Sequence, residues 1–229
     1  MSYRMLEHKY YVFFDVDGTL INAKSTHSFL RFYLRQRSRY KLWSLCQYWL
    51  YVTKIKIYES VGVDRRALNR IFYKNFALEQ HSIIEKLSIE WVAQVSKEKN
   101  FWKKKVLREL SNHQKSGAEV VLVSGSFSEC LKPLADKLKI QHILASELEI
   151  KNGVCTGRLM GKPMIGEGKA MAIKAFLMNR EFNQYDICHA YGDHGSDEDM
   201  LNLVGHPHVI PGDQKLISHG KKMGWDILF

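Results

Sequence analysis

Two short apolar segments, each followed directly by polar residues, constrain the fold of this chain most strongly. The stretch at residues 10–16 is YYVFFDV, and the stretch at residues 118–124 is AEVVLVS. Continuous apolar runs rich in β-branched and aromatic side chains are typical of strands that are covered on both faces in a parallel sheet. The sequence therefore predicts an α/β protein, a class in which ligands bind at the carboxyl ends of the strands.

After residue 117, predicted strands alternate with predicted helices. Residues 148–159 predict a hairpin, because Asn152-Gly153 is a strong signal for a tight turn between strands. The other predicted elements, in chain order, are a helix at 129–138, a strand at 142–145, a helix that begins near 166–169, and strands at 186–193, 208–210 and 225–229.

Between the two apolar segments the pattern is helical. No convincing strand is predicted between about residues 26 and 116, and helices are predicted at 28–37, 64–77 and 80–95, with Asp64 as an N-cap. The predicted fold is thus an α/β core with an all-helical cap inserted after the first strand. We expect the core to comprise residues 1–21 and 106–229, the cap to comprise 22–105, and hinge motion to occur near 21–25 and 102–117.

Composition excludes some classes of protein and leaves others open. The four cysteines form no CxxC pair, so neither a thiolate zinc site nor a disulfide framework is predicted, and we expect a cytoplasmic protein. The apolar stretch at 10–14 is too short for the core of a secretion signal. The net charge of +10 favours anionic partners such as phosphorylated metabolites, lipid surfaces or nucleic acid, or it reflects an ordinary basic surface.

Polar residues with complementary chemistry follow the predicted strands. Two acids, Asp15 and Asp17, end the first strand, and Asp193 and Asp197 end another. An all-oxygen, strongly negative pocket of this kind favours Mg²⁺. We expect the four acids to converge around one divalent cation. The other candidates are Ser124-Gly125-Ser126 after the second strand and Lys169 in a loop that opens a helix.

Each role in phosphoryl transfer has a candidate in this set. Asp15 can act as the nucleophile, and Asp17 can protonate the leaving oxygen and later deprotonate the attacking water. Ser124 and neighbouring backbone N–H groups, including those of Gly125 and Ser126, can hold the phosphoryl oxygens. Lys169 can balance the charge of the phosphoryl group and orient the nucleophile.

DVDGTL, the apolar strand ending in Ser124, Lys169, and GDHGSD together resemble the four motifs of the haloacid dehalogenase superfamily. The resemblance implies a Rossmann-like core and an aspartyl-phosphate intermediate. It also implies that Mg²⁺ is held by the Asp15 carboxylate, the Asp17 backbone carbonyl and Asp193, with Asp197 supporting the metal or the lysine from further out. An acid at residue 17 suits the phosphatases of the superfamily.

The place of the helical insertion, SGSF, and the hairpin LEIKNGVCTG resemble the phosphoserine phosphatase branch, and the likeness is closest to its generic subfamily IB hydrolases. Two positions depart from that branch. The glutamate that receives the substrate amine lies nine residues after the nucleophile, and here that position is Lys24, which argues against phosphoserine itself. His194 replaces a small residue, and we expect a solvated loop residue there, with contact to metal-bound water or product as the alternative.

Residues 41–58, KLWSLCQYWLYVTKIKIY, are unusually aromatic. Polar interruptions leave the segment short of the ~20 apolar residues that a spanning helix needs. It is predicted either to pack as a cap helix or to lie at a membrane interface and present a lipid phosphate, such as phosphatidylglycerophosphate, to the site. The lysine runs at 103–105 and 221–222 accompany no nucleic-acid-binding module, so no nucleic-acid partner is expected.

The predicted function is that of a Mg²⁺-dependent phosphomonoester phosphatase acting on a small phosphorylated metabolite. Two alternatives stay open: a peripheral membrane phosphatase acting on a lipid phosphate, and a non-catalytic protein of the same fold that binds a phosphate ligand. The four acids argue against the last, because crowded carboxylates are costly without a metal.

Overall fold

The computed structural model of the protein describes residues 10–229. Residues 1–9 belong to the predicted core, and the prediction about a secretion signal partly concerns them, but they lie outside the described residues.

The described residues form one seven-stranded sheet in the order β4-β3-β2-β1-β5-β6-β7. Neighbouring strands are parallel except β3 and β4, which form an antiparallel hairpin. The α/β prediction is therefore confirmed. The strands are β1 (Tyr11–Phe14), β2 (Glu119–Phe127), β3 (His142–Lys151), β4 (Val154–Met160), β5 (His189–Gly192), β6 (His206–Val209) and β7 (Asp226–Ile227).

Five of the described α-helices lie between β1 and β2, as predicted for an insertion after the first strand. The other described α-helices follow β2. The helices are α1 (Ser25–Arg37), α2 (Lys41–Ser60), α3 (Arg65–Tyr73), α4 (His81–Val95), α5 (Lys104–Lys115), α6 (Ser128–Leu138), α7 (Glu167–Met178), α8 (Glu198–Leu201) and α9 (Gln214–Met223).

Local sequence signals account for several element boundaries. The Asp64 carboxylate accepts the Arg66 N–H at 3.0 Å, which confirms Asp64 as the N-cap of α3. The hairpin turns at Asn152 and Gly153, whose φ values of 51° and 77° are those of a type I′ turn.

Other boundaries were predicted wrongly. The helix predicted to reach residue 77 ends at Tyr73 and continues only as a short 3₁₀ turn. The strand predicted at 186–193 is confined to β5, because residues 185–187 form a 3₁₀ turn instead. The strand predicted at 142–145 and the first arm of the hairpin are one continuous strand, β3.

Alternate side chains of β1 enter two different cores. Val12 and Phe14 pack on the face that carries α1, α3, α4, α5 and α6, whereas Tyr11 and Phe13 pack on the face that carries α7, α8 and α9. A strand buried on both faces needs apolar residues at every position, which explains the unbroken apolar run in the sequence.

The inserted helices share one aromatic core with the sheet. Phe127 of β2 lies with its ring centroid 5.4 Å from those of Phe29 and Phe76, which come from the insertion. The predicted boundary at residue 105 falls inside α5, which packs against β2. The division into a core of 1–21 and 106–229 and a cap of 22–105 stays a prediction.

Candidate active site

The central position of β1 brings three strand ends together. β1 lies between β2 and β5, and the chain extends the sheet first on the β2 side and then on the β5 side. Carboxyl ends of parallel strands flanking such a reversal form the usual ligand crevice of an α/β sheet. Asp15 continues the β1–β5 pairing, since its N–H donates to the Tyr191 carbonyl at 2.9 Å.

Three of the four predicted acids form a compact cluster. One oxygen each of Asp15, Asp193 and Asp197 lies within 4.8 Å of the other two. The side chain of Asp17 is not part of this group, although it lines the same cavity as the other three acids. A contact of Asp17 with the cation through its backbone carbonyl stays a prediction.

The loop after β1 approaches Asp193 closely enough to require glycine. Gly18 has φ of +84°, and a Cβ built on it would lie 2.1 Å from Asp193 Oδ2. Thr19 Oγ1 donates to Asp193 Oδ1 at 3.3 Å. The DxDGT segment therefore supplies both the space and a hydrogen-bond donor that position Asp193.

Lys169 joins two of the acids. Its Nζ lies 2.5 Å from Asp15 Oδ1 and 2.7 Å from Asp197 Oδ1, and all three side chains are buried. Asp197 Oδ2 also accepts the backbone N–H groups of Asp193 and His194, at 3.2 and 3.1 Å. Asp197 thus accepts three hydrogen bonds and holds the lysine against Asp15.

The carboxylates outnumber the cations that face them. Burial raises the pKa of Asp15 well above its usual range, and the charges of Asp197 and Asp193 add to the effect, against the attraction of Lys169. Burial, followed by the charge of Asp197, raises the pKa of Asp193 to about 6. Burial alone would lower the pKa of Lys169, but the two adjacent carboxylates raise it above its ordinary value.

These residues fit a hard divalent cation. The donor atoms are all oxygens, and a cation would offset the repulsion that raises the pKa values of Asp15 and Asp193. Mg²⁺ prefers this donor set and keeps part of its water shell for exchange with a phosphate. The geometry therefore supports the predicted cofactor.

Asp17 lies beside the cluster with an unused oxygen. Its Oδ1 is buried and has no hydrogen-bond partner among residues 10–229. Burial raises the pKa of this carboxyl group, while Ser25 and nearby lysines oppose the shift. A carboxyl group with a raised pKa and a free oxygen suits the role of a general acid.

The predicted phosphate-binding strand end is held from the side by the insertion. Ser124, Gly125 and Ser126 form the last part of β2, where the pairing with β3 shifts register. The Gly125 carbonyl accepts Asn69 Nδ2 and Tyr73 Oη of α3, each at 3.0 Å. Ser146 Oγ of β3 donates to the same carbonyl at 3.2 Å.

A cavity lies between the strand ends and helices α1, α2 and α3. All eight predicted site residues line it: Asp15, Asp17, Ser124, Gly125, Ser126, Lys169, Asp193 and Asp197. Its other wall carries Lys24, His27, Tyr51, Ile55, Glu59, Arg65, Leu68, Asn69 and Phe72. The arrangement is a floor of four acids with Lys169 beneath a mixed polar and apolar roof.

His194 was expected to be a solvated loop residue. It also contacts the inserted helices. It is exposed, but Arg65 Nη1 of α3 lies 2.7 Å from its Nδ1. Burial, and then the Arg65 charge, lowers the pKa of His194, so the neutral ring is favoured at neutral pH and can accept the arginine's hydrogen bond.

Sequence reasoning missed the residues of α3. Arg65, Asn69 and Tyr73 follow at four-residue spacing and so share one helical face, which points to the strand ends. That spacing was the available signal. Glu59 of α2, the acid of the cavity's roof, had no motif to mark it.

Comparison with known proteins found a matching family and several relatives. The family model described as haloacid dehalogenase-like hydrolase matches residues 12–202. The chain is 34% identical to a phosphoserine phosphatase of Mycobacterium tuberculosis over 52% of this chain and 39% of that protein. It is 24% identical to a histidinol-phosphatase of Neisseria meningitidis over 94% of this chain and 96% of that protein.

The chain spans about two fifths of the length of the first curated relatives that it matches. Among solved structures, a protein of unknown function from Bordetella pertussis superposes with a TM-score of 0.84 at 19% identity, covering 96% of this chain and 99% of that one. Likeness at this level of identity concerns the fold alone.

Proposed function

We propose that this chain, which belongs to the haloacid dehalogenase-like hydrolase family, is a Mg²⁺-dependent phosphatase that cleaves phosphomonoesters through a phosphorylated Asp15. The observation that carries the proposal is the buried triad of Asp15, Lys169 and Asp197 beside Asp193, at the floor of a cavity roofed by helices. Relatives named as phosphatases support it.

The cation would be held by Asp15, Asp193 and the backbone carbonyl of Asp17. When bound, Mg²⁺ would supply electrostatic stabilisation of the charged phosphoryl oxygens. Lys169 keeps Asp15 oriented and favours its ionised form, in opposition to burial.

The reaction would proceed in two displacements. The Asp15 carboxylate attacks phosphorus while Asp17 gives its proton to the departing alkoxide, which leaves as the alcohol. Asp17, now a carboxylate, then takes a proton from a water molecule that attacks the acyl phosphate and releases inorganic phosphate. The Oδ1 of Asp17 has no hydrogen-bond partner among residues 10–229, so it is free to donate the proton in the first step and accept one in the second.

The test of the covalent route compares matched acid-to-amide substitutions. We expect Asp15→Asn to abolish turnover of p-nitrophenyl phosphate and Asp17→Asn to reduce it by about 10²–10⁴-fold. Asp136→Asn changes an exposed acid on α6 and should behave as wild type. Acid-quenched wild-type enzyme should carry one phosphoryl group on Asp15. Full activity of Asp15→Asn would refute the proposal.

The metal requirement has its own measurement. We expect chelation by EDTA to stop turnover and added Mg²⁺ to restore it. Mg²⁺ should also raise the unfolding temperature, because a ligand that binds only the folded state stabilises it. Turnover that persists in EDTA would exclude the metal assignment.

Charged residues in the roof of the cavity are expected to determine which substrates bind. Lys24 opposes an ammonium group near the start of α1, whereas Glu59 of α2 offers a carboxylate on the same wall. His27 lies between these influences, since burial and then the charge of Lys24 lower its pKa while Glu59 opposes the shift. We propose a small phosphomonoester whose polar end is read by Lys24 and Glu59, with phosphoserine a poor substrate.

A panel of phosphorylated metabolites tests this reading. The relatives are named for phosphoserine and for histidinol phosphate, so both belong in the panel. We expect Lys24→Glu to raise kcat/KM for phosphoserine by about fivefold, the size of one partly exposed ion pair. Glu59→Gln should lower kcat/KM for cationic substrates and leave that for p-nitrophenyl phosphate unchanged. No change in either variant would place substrate recognition elsewhere.

A further inference from the structure

The outward face of α2 carries apolar side chains that the fold leaves uncovered. Leu42, Trp49 and Ile57 follow at helical spacing, with exposed fractions of 79%, 60% and 55%, and Trp43 and Leu50 beside them are 58% and 67% exposed. Single exposed apolar residues are ordinary, but a contiguous row on one helix marks an interaction surface. We call these five residues the outer face of α2.

The opposite face of the same helix is occupied. Ser44 and Ile55 are buried, and α2 packs mainly against α1. Tyr51, Ile55 and Glu59 line the cavity. The helix is therefore apolar around most of its circumference, although only one side meets the rest of the protein. We therefore expect the uncovered side of α2 to contact a second apolar surface.

Charge around the outer face has one sign. Residues 18–58 contain eight lysines and arginines and no aspartate or glutamate. One of the eight, Arg37, is paired with Glu79. The first acid after Asp17 is Glu59, which lines the cavity on the other side of the helix. The partner of this surface is therefore expected to be anionic as well as apolar.

A basic groove lies at the start of α2. Arg31 and Arg35 of α1 and Lys41 of α2 line it together with Ser44 and Leu45. Three cationic side chains around one concavity are suited to hold phosphate oxygens. Leu45 is 38% exposed and adjoins the outer face, so the groove and the apolar row are continuous.

We propose that the outer face of α2 lies on an anionic membrane surface, with its apolar side chains among the acyl chains and lipid phosphates in the groove of Arg31, Arg35 and Lys41. Tryptophan and tyrosine favour the headgroup level, and lysine and arginine favour anionic lipid. No helix among residues 10–229 is long and apolar enough to cross a membrane. The proposed contact runs along the length of α2, where the exposed apolar residues lie.

A second copy of the chain fits this surface less well. Pairing two outer faces would bring two acid-free basic segments together, which repel one another. A lipid surface instead neutralises them. The proposal is independent of the proposed phosphatase activity, because none of the five outer-face residues lines the cavity.

Vesicle co-sedimentation of the full chain tests the apolar part. We expect the protein to pellet with vesicles of phosphatidylcholine and phosphatidylglycerol, and much less with phosphatidylcholine alone. Trp49→Glu with Leu50→Glu should lower the partition coefficient by more than about tenfold. Ile89→Glu is the matched control, since Ile89 is 61% exposed on α4 and should not contribute. Turnover of p-nitrophenyl phosphate in solution should be unchanged in both variants.

A second pair of variants tests the charged part. Replacing Arg31, Arg35 and Lys41 with glutamine should lower binding to anionic vesicles by about 100-fold, about fivefold for each charge. The control removes three exposed lysines elsewhere and should have much less effect; it replaces Lys137, Lys221 and Lys222 with glutamine. Circular dichroism verifies that all variants are folded.

Three outcomes would overturn the proposal. The first is the absence of sedimentation with anionic vesicles. The second is equal binding of the outer-face variant and its control. The third is a wild-type dimer in size-exclusion chromatography with light scattering that Trp49→Glu with Leu50→Glu converts to a monomer, because the outer face would then be covered by a second copy.

Discussion

Substituting alanine for Gly18 tests whether activity depends on the positions of the clustered acids, because it moves Asp193 without removing any carboxylate. The backbone at Gly18 has φ of +84°, and an added Cβ would lie 2.1 Å from Asp193 Oδ2 and 2.7 Å from its Cγ. Every carboxylate stays in the chain. Only the position of Asp193 relative to Asp15 and Asp197 is expected to change.

The size of the displacement follows from ordinary contact distances. Non-bonded carbon and oxygen atoms do not approach much below about 3.5 Å, so Asp193 or the loop must move by about 1.4 Å. A misplacement of about 1 Å in a catalytic site can cost about 10²-fold in rate. The left-handed backbone adds a separate cost of about 1–2 kcal/mol for a residue with a Cβ.

Gly153→Ala is the matched control for that backbone cost. Its φ of +77° is similar, but nothing lies within 4 Å of the added Cβ. We expect both variants to unfold about 2–8 °C lower than wild type, which is the backbone cost divided by the unfolding entropy of a chain of this size. Only Gly18→Ala should lose about 10²-fold in kcat/KM and need more Mg²⁺ for half-maximal turnover.

Steady-state turnover of p-nitrophenyl phosphate over a series of Mg²⁺ concentrations measures both quantities, and thermal unfolding measures the shared cost. If Gly18→Ala kept kcat/KM within about threefold of the Gly153→Ala value, Asp193 would not need its observed position. The assignment of Asp193 to the cation site would then fail.

Three further predictions concern stability. Lys169→Met should lower the free energy of unfolding by about 3–5 kcal/mol, because it leaves Asp15 with an unpaired buried charge, and Mg²⁺ should recover part of the loss in thermal unfolding; an unchanged unfolding temperature would contradict the ion pair. Tyr73→Phe removes one hydrogen bond to the Gly125 carbonyl and should cost about 1 kcal/mol in urea unfolding, with no cost if that bond is absent in solution. Burial, aided by neighbouring histidines, lowers the pKa of His189 to about 3, so the unfolded chain binds the proton first as pH falls below about 6.5 and stability decreases from there toward pH 3. The unfolding temperature should therefore fall between pH 7.5 and 5, and it should fall less in His189→Gln; equal falls would refute the role of this histidine.

Several features of this protein were predictable from local sequence. The strand at residues 11–14 is apolar at every position because both its faces are buried, and that pattern needs no knowledge of the neighbours. Asp64 caps its helix and Asn152-Gly153 turns its hairpin through contacts within a few residues. The acids after β1 and β5 meet because parallel strands place their carboxyl ends at one edge.

Contacts between distant segments needed the tertiary structure. The sequence predicted four acids around one cation; all four line one cavity, but the three whose oxygens lie within 4.8 Å of one another are Asp15, Asp193 and Asp197. Arg65 hydrogen-bonds His194 after β5, and Tyr73 hydrogen-bonds Gly125 of β2. Their helical spacing shows that they share a face of α3, but only the tertiary structure shows what that face meets.

The same distinction applies to α2, whose sequence shows an aromatic, basic helix without showing which side is covered. Helical periodicity determines which residues share a face, whereas burial depends on the neighbours that reach that face. Short-range backbone geometry and side-chain size thus decided the elements and the order of the motifs. Packing between segments far apart in the chain decided which carboxylates share a site and which apolar row stays exposed, because such contacts depend on the whole fold.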